Sequence, residues 1–285
     1  MESLRLFPFA VLLLALAGSS GCKKHASETN NSITFDSIKE NIIYHLYNDT
    51  TKPYCQLQIN FMYPADCPDT SLLKSLQSIF IAKYFGNSLS DETPQNALRM
   101  YKKQYIENYR QFEHDEDGNT PEYSFGHHVY DARSSYSYYE FSHNDIFFNH
   151  NDILSFVIHI ENYTGGAHGS HRLTACTIDL NTGRVLDEND IFCENYSDAI
   201  AAAIVQKIVE ANKLSNPREL ENVGYFDIRE IVPNGNFLVN NEGITYIFNE
   251  YDIAPYFLGK TEVLLPYDEI DLYINKQGPL AKLIY

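Results

Sequence analysis

The densest group of residues that could do chemistry lies in mid-chain, in the segment Gly165-Gly166-Ala167-His168-Gly169-Ser170-His171. Its glycines allow positive φ angles and close backbone approach, so the segment could aim both imidazoles at one point. With Asp179, His159 or Glu161 nearby, the two rings could ligate zinc. A His-x-x-His pair on a loop is a weak zinc signal without a helix to fix both rings, so a hydrogen-bonded, structural His168 is the competing interpretation.

Histidines are concentrated around this segment. Eight of the ten lie in one stretch, at His114, His127, His128, His143, His150, His159, His168 and His171. Such a concentration is typical of a metal-loading surface or of a pH-responsive one. Histidines spread over several strands and loops also commonly serve only as solvent-exposed side chains, which is the alternative.

A second candidate site is an aromatic ligand surface formed by Tyr130, Tyr136, Tyr138, Tyr139 and Phe141. Tyrosine combines a large apolar ring with a polar tip, which suits it to binding a protein partner or sugar rings. In a strand, alternation sends about half of these rings into the core. The chain has no Trp, the usual platform for sugars.

The charge balance narrows the class of partner. The 285-residue chain carries 38 acidic and 21 basic residues, a formal charge of −17. This excess argues against binding nucleic acid and leaves cations and basic proteins as partners. The alternative is that the negative surface only keeps the protein soluble. No Gly-x-Ser-x-Gly, Walker or dinucleotide-binding fingerprint occurs, and no catalytic residue or cofactor is predicted.

Residues 1–21 have the features of a lipoprotein signal peptide. Arg5 provides a positive start, an apolar stretch follows, and small residues lead to Cys22. The pattern predicts cleavage before Cys22, lipidation of its thiol, and anchoring in the cell envelope on the periplasmic or surface side of a membrane. A soluble secreted protein cut near the same place is the alternative. Residues 22–32 are polar and aperiodic, which predicts a flexible tether.

Export would place the other cysteines in an oxidising compartment. They are Cys55, Cys67, Cys176 and Cys193, and four cysteines allow three pairings. The bonds Cys55–Cys67 and Cys176–Cys193 are favoured because each closes a short loop. Four reduced thiols are the alternative.

The elements that must position these residues are clusters of strands with helices between them. Apolar spacing and capping residues predict helices over 70–85, 94–112, 197–214 and 267–274. Alternation and turn signals predict strands over 54–62, 123–130, 135–142, 153–163, 172–180, 184–191, 237–240, 244–248 and 263–265. This arrangement predicts an α+β fold of antiparallel sheets with helices packed on one face. A division near residue 163 would give domains 33–163 and 164–285, although one sheet could equally run through it.

Two groups of residues carry a resemblance to a known family. The first is Tyr163–His168 with Asp179–Arg184 and Asp190-Ile191-Phe192, and the second is Gly243–Phe248 with Tyr251–Tyr256, Gly259 and Leu265-Pro266-Tyr267. Together with the strand and helix that follow Cys55, they resemble the paired extracytoplasmic domains of the RsiV anti-sigma factor. The N-terminal type also accompanies the PdaC peptidoglycan deacetylase. The resemblance covers nearly all of residues 50–275.

The resemblance implies an RsiV-like α+β module outside the cytoplasm. Domain 33–163 would be of the PdaC/RsiV N-terminal type and domain 164–285 of the RsiV C-terminal type. Gly165, Gly166, Ala167 and His168 would form the motif loop, a structural turn between strands. In RsiV the module binds lysozyme, whereas this chain lacks the Asp-Asp and His-x-x-x-His metal motif of a deacetylase.

The leading hypothesis is a non-enzymatic, lipid-anchored envelope protein that binds a basic, lysozyme-like protein or peptidoglycan. The alternative hypothesis is a metal-dependent hydrolase or esterase that acts on cell-wall material through the Gly165–His171 loop. No metal is predicted beyond the weak candidate ligands His168 and His171.

Overall fold

The computed structural model describes residues 29–115, 124–125, 128–129 and 136–284. The predicted signal peptide, Cys22, most of the predicted tether and Tyr130 lie outside the described residues. None of the helices in the described ranges combines the length and the hydrophobicity that a membrane span requires.

The strands and helices form two main sheets with helices against them. The strands are β1 (Thr34–His45), β2 (Tyr54–Asp66), β3 (Ser124–Phe125), β4 (His128–Val129), β5 (Tyr138–His150), β6 (Ile153–Tyr163), β7 (Ser170–Asp179), β8 (Arg184–Val185), β9 (Phe237–Val239), β10 (Gly243–Phe248) and β11 (Thr261–Pro266). The α-helices are α1 (Thr70–Phe85), α2 (Pro94–Arg110), α3 (Phe112–Asp115), α4 (Glu188–Ile191), α5 (Ser197–Ala211), α6 (Tyr267–Ile270) and α7 (Ala281–Ile284). The predicted α+β class is confirmed.

The larger sheet has six strands in the order β1-β2-β5-β6-β7-β8, and the smaller has the order β11-β10-β9. Neighbouring strands of the larger sheet are antiparallel except β2 and β5, which run parallel. Helices α1 and α2 lie between β2 and β5 in the chain, and a parallel pair requires a crossover of this kind.

Helices α1 and α2 begin where the sequence predicts. The side chain of Asp69 accepts a hydrogen bond from the backbone N–H of Ser71 at 2.8 Å, which caps α1. Gly86 ends this helix with a φ of 103°, a conformation that favours glycine. Thr93 caps α2, and Pro94 takes its first position.

Both helices cover one face of the six-stranded sheet. The core between these helices and the sheet is formed mainly by residues at alternate strand positions and by the inner faces of the helices. Its members include Leu57, Ile59, Phe61, Leu76, Phe80, Ile81, Leu154, Phe156, Ile158 and Ile178. The ring of Phe80 stacks on that of Phe156, with centroids 3.9 Å apart. The opposite face of the sheet is thereby left for other contacts.

Strand β1, which forms the edge of the sheet beside β2, is not predicted from the sequence. Four alternate residues of β1 that pair with buried positions of β2 are Ile38, Glu40, Ile42 and Tyr44. Glu40 breaks the apolar alternation by which a half-buried strand is recognised. Its carboxylate is matched by Lys102 of α2, at 3.1 Å, so an inward-facing charge is accommodated at the edge of the sheet.

The predicted disulfides are not formed, since all four of these cysteines have free thiols. The favoured Cys55–Cys67 bond is wrong for a geometric reason. Cys55 lies near the start of β2 and Cys67 just beyond its end, and about 12 residues of extended strand separate Cα atoms by about 40 Å. A disulfide requires less than about 7 Å. Burial raises the pKa of the Cys55 and Cys176 thiols to about 12, which keeps both protonated at neutral pH.

The second half of the chain builds its own core around the smaller sheet. The predicted apolar stripe of α5, formed by Ile200, Ile204 and Ile208, is buried there with Tyr246 and Leu265. The predicted domain boundary at residues 163–164 falls in the turn between β6 and β7. These two strands pair along almost their whole length.

On its outer edge, β7 pairs with β8 only through its last two residues. Side chains supply hydrogen-bond partners for other peptide groups along this edge. The side-chain amide of Asn249 accepts a hydrogen bond from the N–H of Leu173 at 2.7 Å and donates to its carbonyl at 3.0 Å. The amide of Asn236 accepts from the N–H of Ala175 at 2.7 Å. A side-chain amide offers the same donor and acceptor as a peptide group, so each asparagine substitutes for a residue of a strand.

We predict that Asn249→Ala lowers the free energy of unfolding by about 1–3 kcal/mol, because the buried N–H of Leu173 loses its partner, whereas its C=O keeps the amide of Asn236. Urea denaturation measures this change. Asn108→Ala is the matched control, since Asn108 lies exposed on α2, and a change within about 0.5 kcal/mol is expected there. Equal losses in the two variants would contradict the assigned role of Asn249.

We also predict that Glu140→Gln stabilises the protein at neutral pH. Burial raises the pKa of Glu140, whose carboxylate accepts a hydrogen bond from the hydroxyl of Tyr101 at 2.8 Å. The folded pKa exceeds the unfolded value, so the wild type loses stability as the pH rises through this interval from about 4.3. A neutral glutamine avoids this loss and can still accept from the hydroxyl.

Urea denaturation at about pH 4 and about pH 7 tests this prediction. The stability advantage of Glu140→Gln should be present at the higher pH and shrink at the lower one. Glu107→Gln, an exposed position on α2, should show no such pattern. An advantage that grows as the pH falls would have the wrong sign.

Candidate functional site

The face of the six-stranded sheet opposite α1 and α2 carries an open trough with a volume of about 470 Å³. Its polar lining comes from His143, His159, Glu161, His171, Arg172, Glu250 and Lys260, and its apolar lining includes Phe141 and Leu173. Strands β5, β6 and β7 provide the floor, and the 249–260 loop after β10 provides one wall. We refer to this surface as the trough.

Strand pairing places the floor residues in rows. His143 of β5 lies opposite His159 of β6, and Phe141 lies opposite Glu161. Glu161 in turn lies opposite His171 of β7. Alternate positions of a strand share one face, and directly opposed side chains are about 5 Å apart, so these rows are in contact.

The Gly165–His171 segment contains most of the connection between β6 and β7 and the first two residues of β7. Gly166 has a φ of 102°, which L side chains rarely adopt. A Cβ atom at Gly169 would lie 3.0 Å from both the carbonyl oxygen of Asn162 and the hydroxyl oxygen of Tyr139. Glycine is therefore needed at one position for conformation and at the other for close approach.

His168 has partners at both ring nitrogens and on one ring face. Because a carbonyl oxygen can only accept, Nδ1 donates to the carbonyl of Gly169 at 2.8 Å. In the neutral ring Nε2 then accepts from the hydroxyl of Tyr251 at 3.1 Å. The imidazole also stacks on Tyr256, with centroids 3.8 Å apart. His168 thus joins its loop to the 249–260 loop.

His171 is held between two carboxylates. Glu250 accepts hydrogen bonds from the backbone N–H of His171 at 3.3 Å and from its Nδ1 at 3.1 Å. The Nε2 atom lies 4.0 Å from Oε1 of Glu161. The backbone contact of Glu250 also continues the side-chain pairing of the β7 edge.

The predicted aromatic surface is divided between the two faces of the sheet. The ring of Tyr139 stacks on Phe141 at 4.8 Å and on Tyr163 at 6.1 Å, beside the trough. The rings of Tyr136 and Tyr138 contact the end of α2 and α3 instead. Tyr130 lies outside the described residues.

A group of metal-ligating side chains lies at one end of the trough. One donor atom from each of His143, Asp145 and His159 falls within 4.8 Å of the other two. The two rings stack with centroids 4.4 Å apart, and Nε2 of each lies 3.5 Å from Oδ2 of Asp145. Burial, and then the neighbouring His143, lower the pKa of His159. Among the described residues, His168 and His171 belong to no such group.

Sequence reasoning missed two parts of this site. Both histidines of the group are noted in the sequence, but Asp145 is not, because the pairing of β5 with β6 is needed to bring the three together. Tyr251 and Tyr256 were noted only for the family resemblance, although Tyr251 is 83 residues from its partner His168. One feature of the sequence could have linked them: the Gly165–His171 segment and the 249–260 loop both contain residues that carry the family resemblance.

Comparisons with known proteins agree on one family. The family model described as a protein of unknown function, DUF3298, matches residues 189–268. The crystal structure of a DUF3298 family member from Bacteroides fragilis is 32% identical and superposes with a TM-score of 0.79, covering 90% of this chain and 99% of that one. A DUF3298 family protein from Pseudomonas aeruginosa shares the fold at 15% identity, with a TM-score of 0.60 and coverage of 86% and 96%.

No functionally curated protein is similar to the sequence at a significant level. The Bacteroides fragilis protein is covered almost completely by this chain and is similar in both sequence and structure. The chain therefore belongs to the DUF3298 family, whose function is unknown.

Proposed function

We propose that this protein is a non-enzymatic, lipid-anchored protein of the cell envelope that binds a basic, lysozyme-like protein through the trough. The observation that carries the proposal is a row of aromatic rings that borders the trough, next to the carboxylates that line it. Tyr139, Phe141 and Tyr163 form the row, and Glu161 and Glu250 provide the carboxylates.

This combination matches the side chains that a basic protein offers. Tyrosine is enriched at protein interfaces and at their energetic centres. An arginine of the partner can stack on a tyrosine ring and pair with a carboxylate at the same time. Tyr139 and Glu161 are suitably close, since the hydroxyl of Tyr139 donates to Glu161 at 3.3 Å.

Charge favours a protein ligand over peptidoglycan. A formal charge of −17 speeds association with a basic partner and repels anionic polymers. The lack of Trp also removes the usual platform for sugar rings. Peptidoglycan remains the second ligand to test.

The geometry of the Gly165–His171 loop does not favour the hydrolase alternative. Nε2 of His168 accepts from Tyr251, and Nδ1 of His171 contacts Glu250. Both histidines thus have partners that explain their positions without a reaction.

We predict salt-sensitive binding of lysozyme that depends on the trough. Glu161→Gln and Tyr139→Ala should each weaken the affinity about tenfold, the usual cost at an energetic centre of an interface. Glu107→Gln removes the same charge from exposed helix α2 and should change the affinity less than twofold. Binding should weaken between about 50 mM and about 300 mM salt, as screening shortens the reach of the charges.

Biolayer interferometry with immobilised lysozyme measures these affinities, and sedimentation with purified peptidoglycan provides the second arm. Binding to peptidoglycan alone would replace the protein ligand by the glycan. Failure of both ligands to bind at low salt would refute the proposed function.

The anchor is tested separately. We predict that Cys22→Ala moves the protein from the membrane fraction to the soluble fraction, because the acylated thiol would be lost. Cys193→Ala is the matched control, since Cys193 is an exposed free cysteine, and it should leave fractionation unchanged. Unaltered membrane association of Cys22→Ala would exclude lipidation at this residue as the anchor.

A further inference from the structure

We infer that His143, Asp145 and His159 form a binding site for a divalent transition-metal ion of the zinc class. The inference goes beyond the proposed function, because the site needs no protein ligand to form. It rests on three features of the group: its placement on the sheet, its distances, and the chemistry of its donors.

The placement of the three residues is set by regular strand geometry. His143 and Asp145 are two positions apart on β5 and share one face of the sheet. His159 lies directly opposite His143 on β6. Both strands are internal to the six-stranded sheet, so the backbone of each histidine is paired on both sides, and that of Asp145 is paired with Val157 of β6.

The distances are close to those of a tetrahedral site. Metal–ligand bonds of about 2.0–2.1 Å place the ligand atoms of a tetrahedron about 3.3 Å apart. Each Nε2 already lies 3.5 Å from Oδ2 of Asp145. One ring nitrogen of each histidine lies within 4.8 Å of the other, and the two side chains are 48% and 33% exposed, so small ring rotations can bring the donors closer.

The donor set is that of zinc and its neighbours in the first transition row. Two imidazole nitrogens and one carboxylate oxygen suit Zn²⁺, Cu²⁺ or Fe²⁺ better than Ca²⁺ or Mg²⁺, which prefer oxygen ligands. Three protein ligands would leave a coordination position free, and both histidines line the trough. Such an open position can bind water or an oxygen atom of another molecule, unlike a closed structural site.

The surrounding charges permit a cation. Two basic residues also line the trough, Arg172 and Lys260. Arg172 lies between the trough-facing His171 and Leu173 on β7, so alternation directs its side chain to the opposite face of the sheet. The ammonium group of Lys260 is paired with the carboxylate of Glu262 at 2.7 Å. This pairing offsets the one lysine charge in the trough lining. The excess of acidic residues in the chain further favours cations over anions.

Titration of the chelator-treated, full-length chain with Zn²⁺ by isothermal titration calorimetry tests the site. We expect one ion per chain, and His159→Ala and Asp145→Ala should each weaken the affinity by at least about tenfold. His171→Ala is the matched control, because it removes an exposed histidine from the same trough without touching the group, and it should leave the affinity unchanged. Absorption of bound Co²⁺ should show tetrahedral coordination in the wild type.

Circular dichroism verifies that each variant is folded. If His159→Ala does not fold, His159→Gln takes its place. No saturable binding, or an equal loss in His171→Ala, would overturn the site. Zinc binding without lysozyme binding would support the site and refute only the protein ligand proposed above, so the two failures are distinguishable.

Discussion

The architecture depends on the outer edge of β7, where buried peptide groups have no neighbouring strand. A buried N–H or C=O without a partner costs about 1–3 kcal/mol, so each must be satisfied. Asn249 and Asn236 supply the partners for Leu173 and Ala175, and Glu250 supplies one for His171. These side chains come from the loops that flank the smaller sheet, so the same hydrogen bonds that complete the edge also attach the smaller sheet to the larger one.

The same device recurs where β2 and β5 diverge. Their parallel pairing ends at Asn60 and His143, and the next residue, Asn144, accepts from the N–H of Met62 and donates to its carbonyl at 2.8 and 2.9 Å. Between the two sheets, the buried hydroxyl of Ser155 donates to the carbonyl of Val239 in the smaller sheet at 2.9 Å and accepts from its N–H at 3.3 Å. Side chains therefore extend the hydrogen-bonding pattern of strands past the points where strands stop.

Local signals in the sequence predict much of the fold and little of the site. Asp69 and Gly86 mark the ends of α1, and the limits of β6 are predicted correctly because capping and alternation act between residues close in the chain. Strand β1 is not recognised because Glu40 interrupts its apolar alternation, and this inward-facing charge is compensated by Lys102, which is distant in the sequence. Asn249 and Asp145 carry no local pattern at all, because their roles follow from strand register and from contacts between distant segments.

The trough exists because the smaller sheet, which is the cover of this face, extends over only part of the six-stranded sheet. The trough-facing residues of β6 change along the strand from Val157, which packs against Leu238 and Ile247 of the smaller sheet, to His159 and Glu161. An apolar residue is stabilised where the cover continues, whereas beyond it an ionisable side chain keeps its hydration. Polar chemistry is therefore confined to the uncovered end, next to the loop that the β7 edge holds in place. A ligand that occupies the trough would extend the cover, and it would have to replace that hydration with charge pairing, aromatic contact or a metal ion.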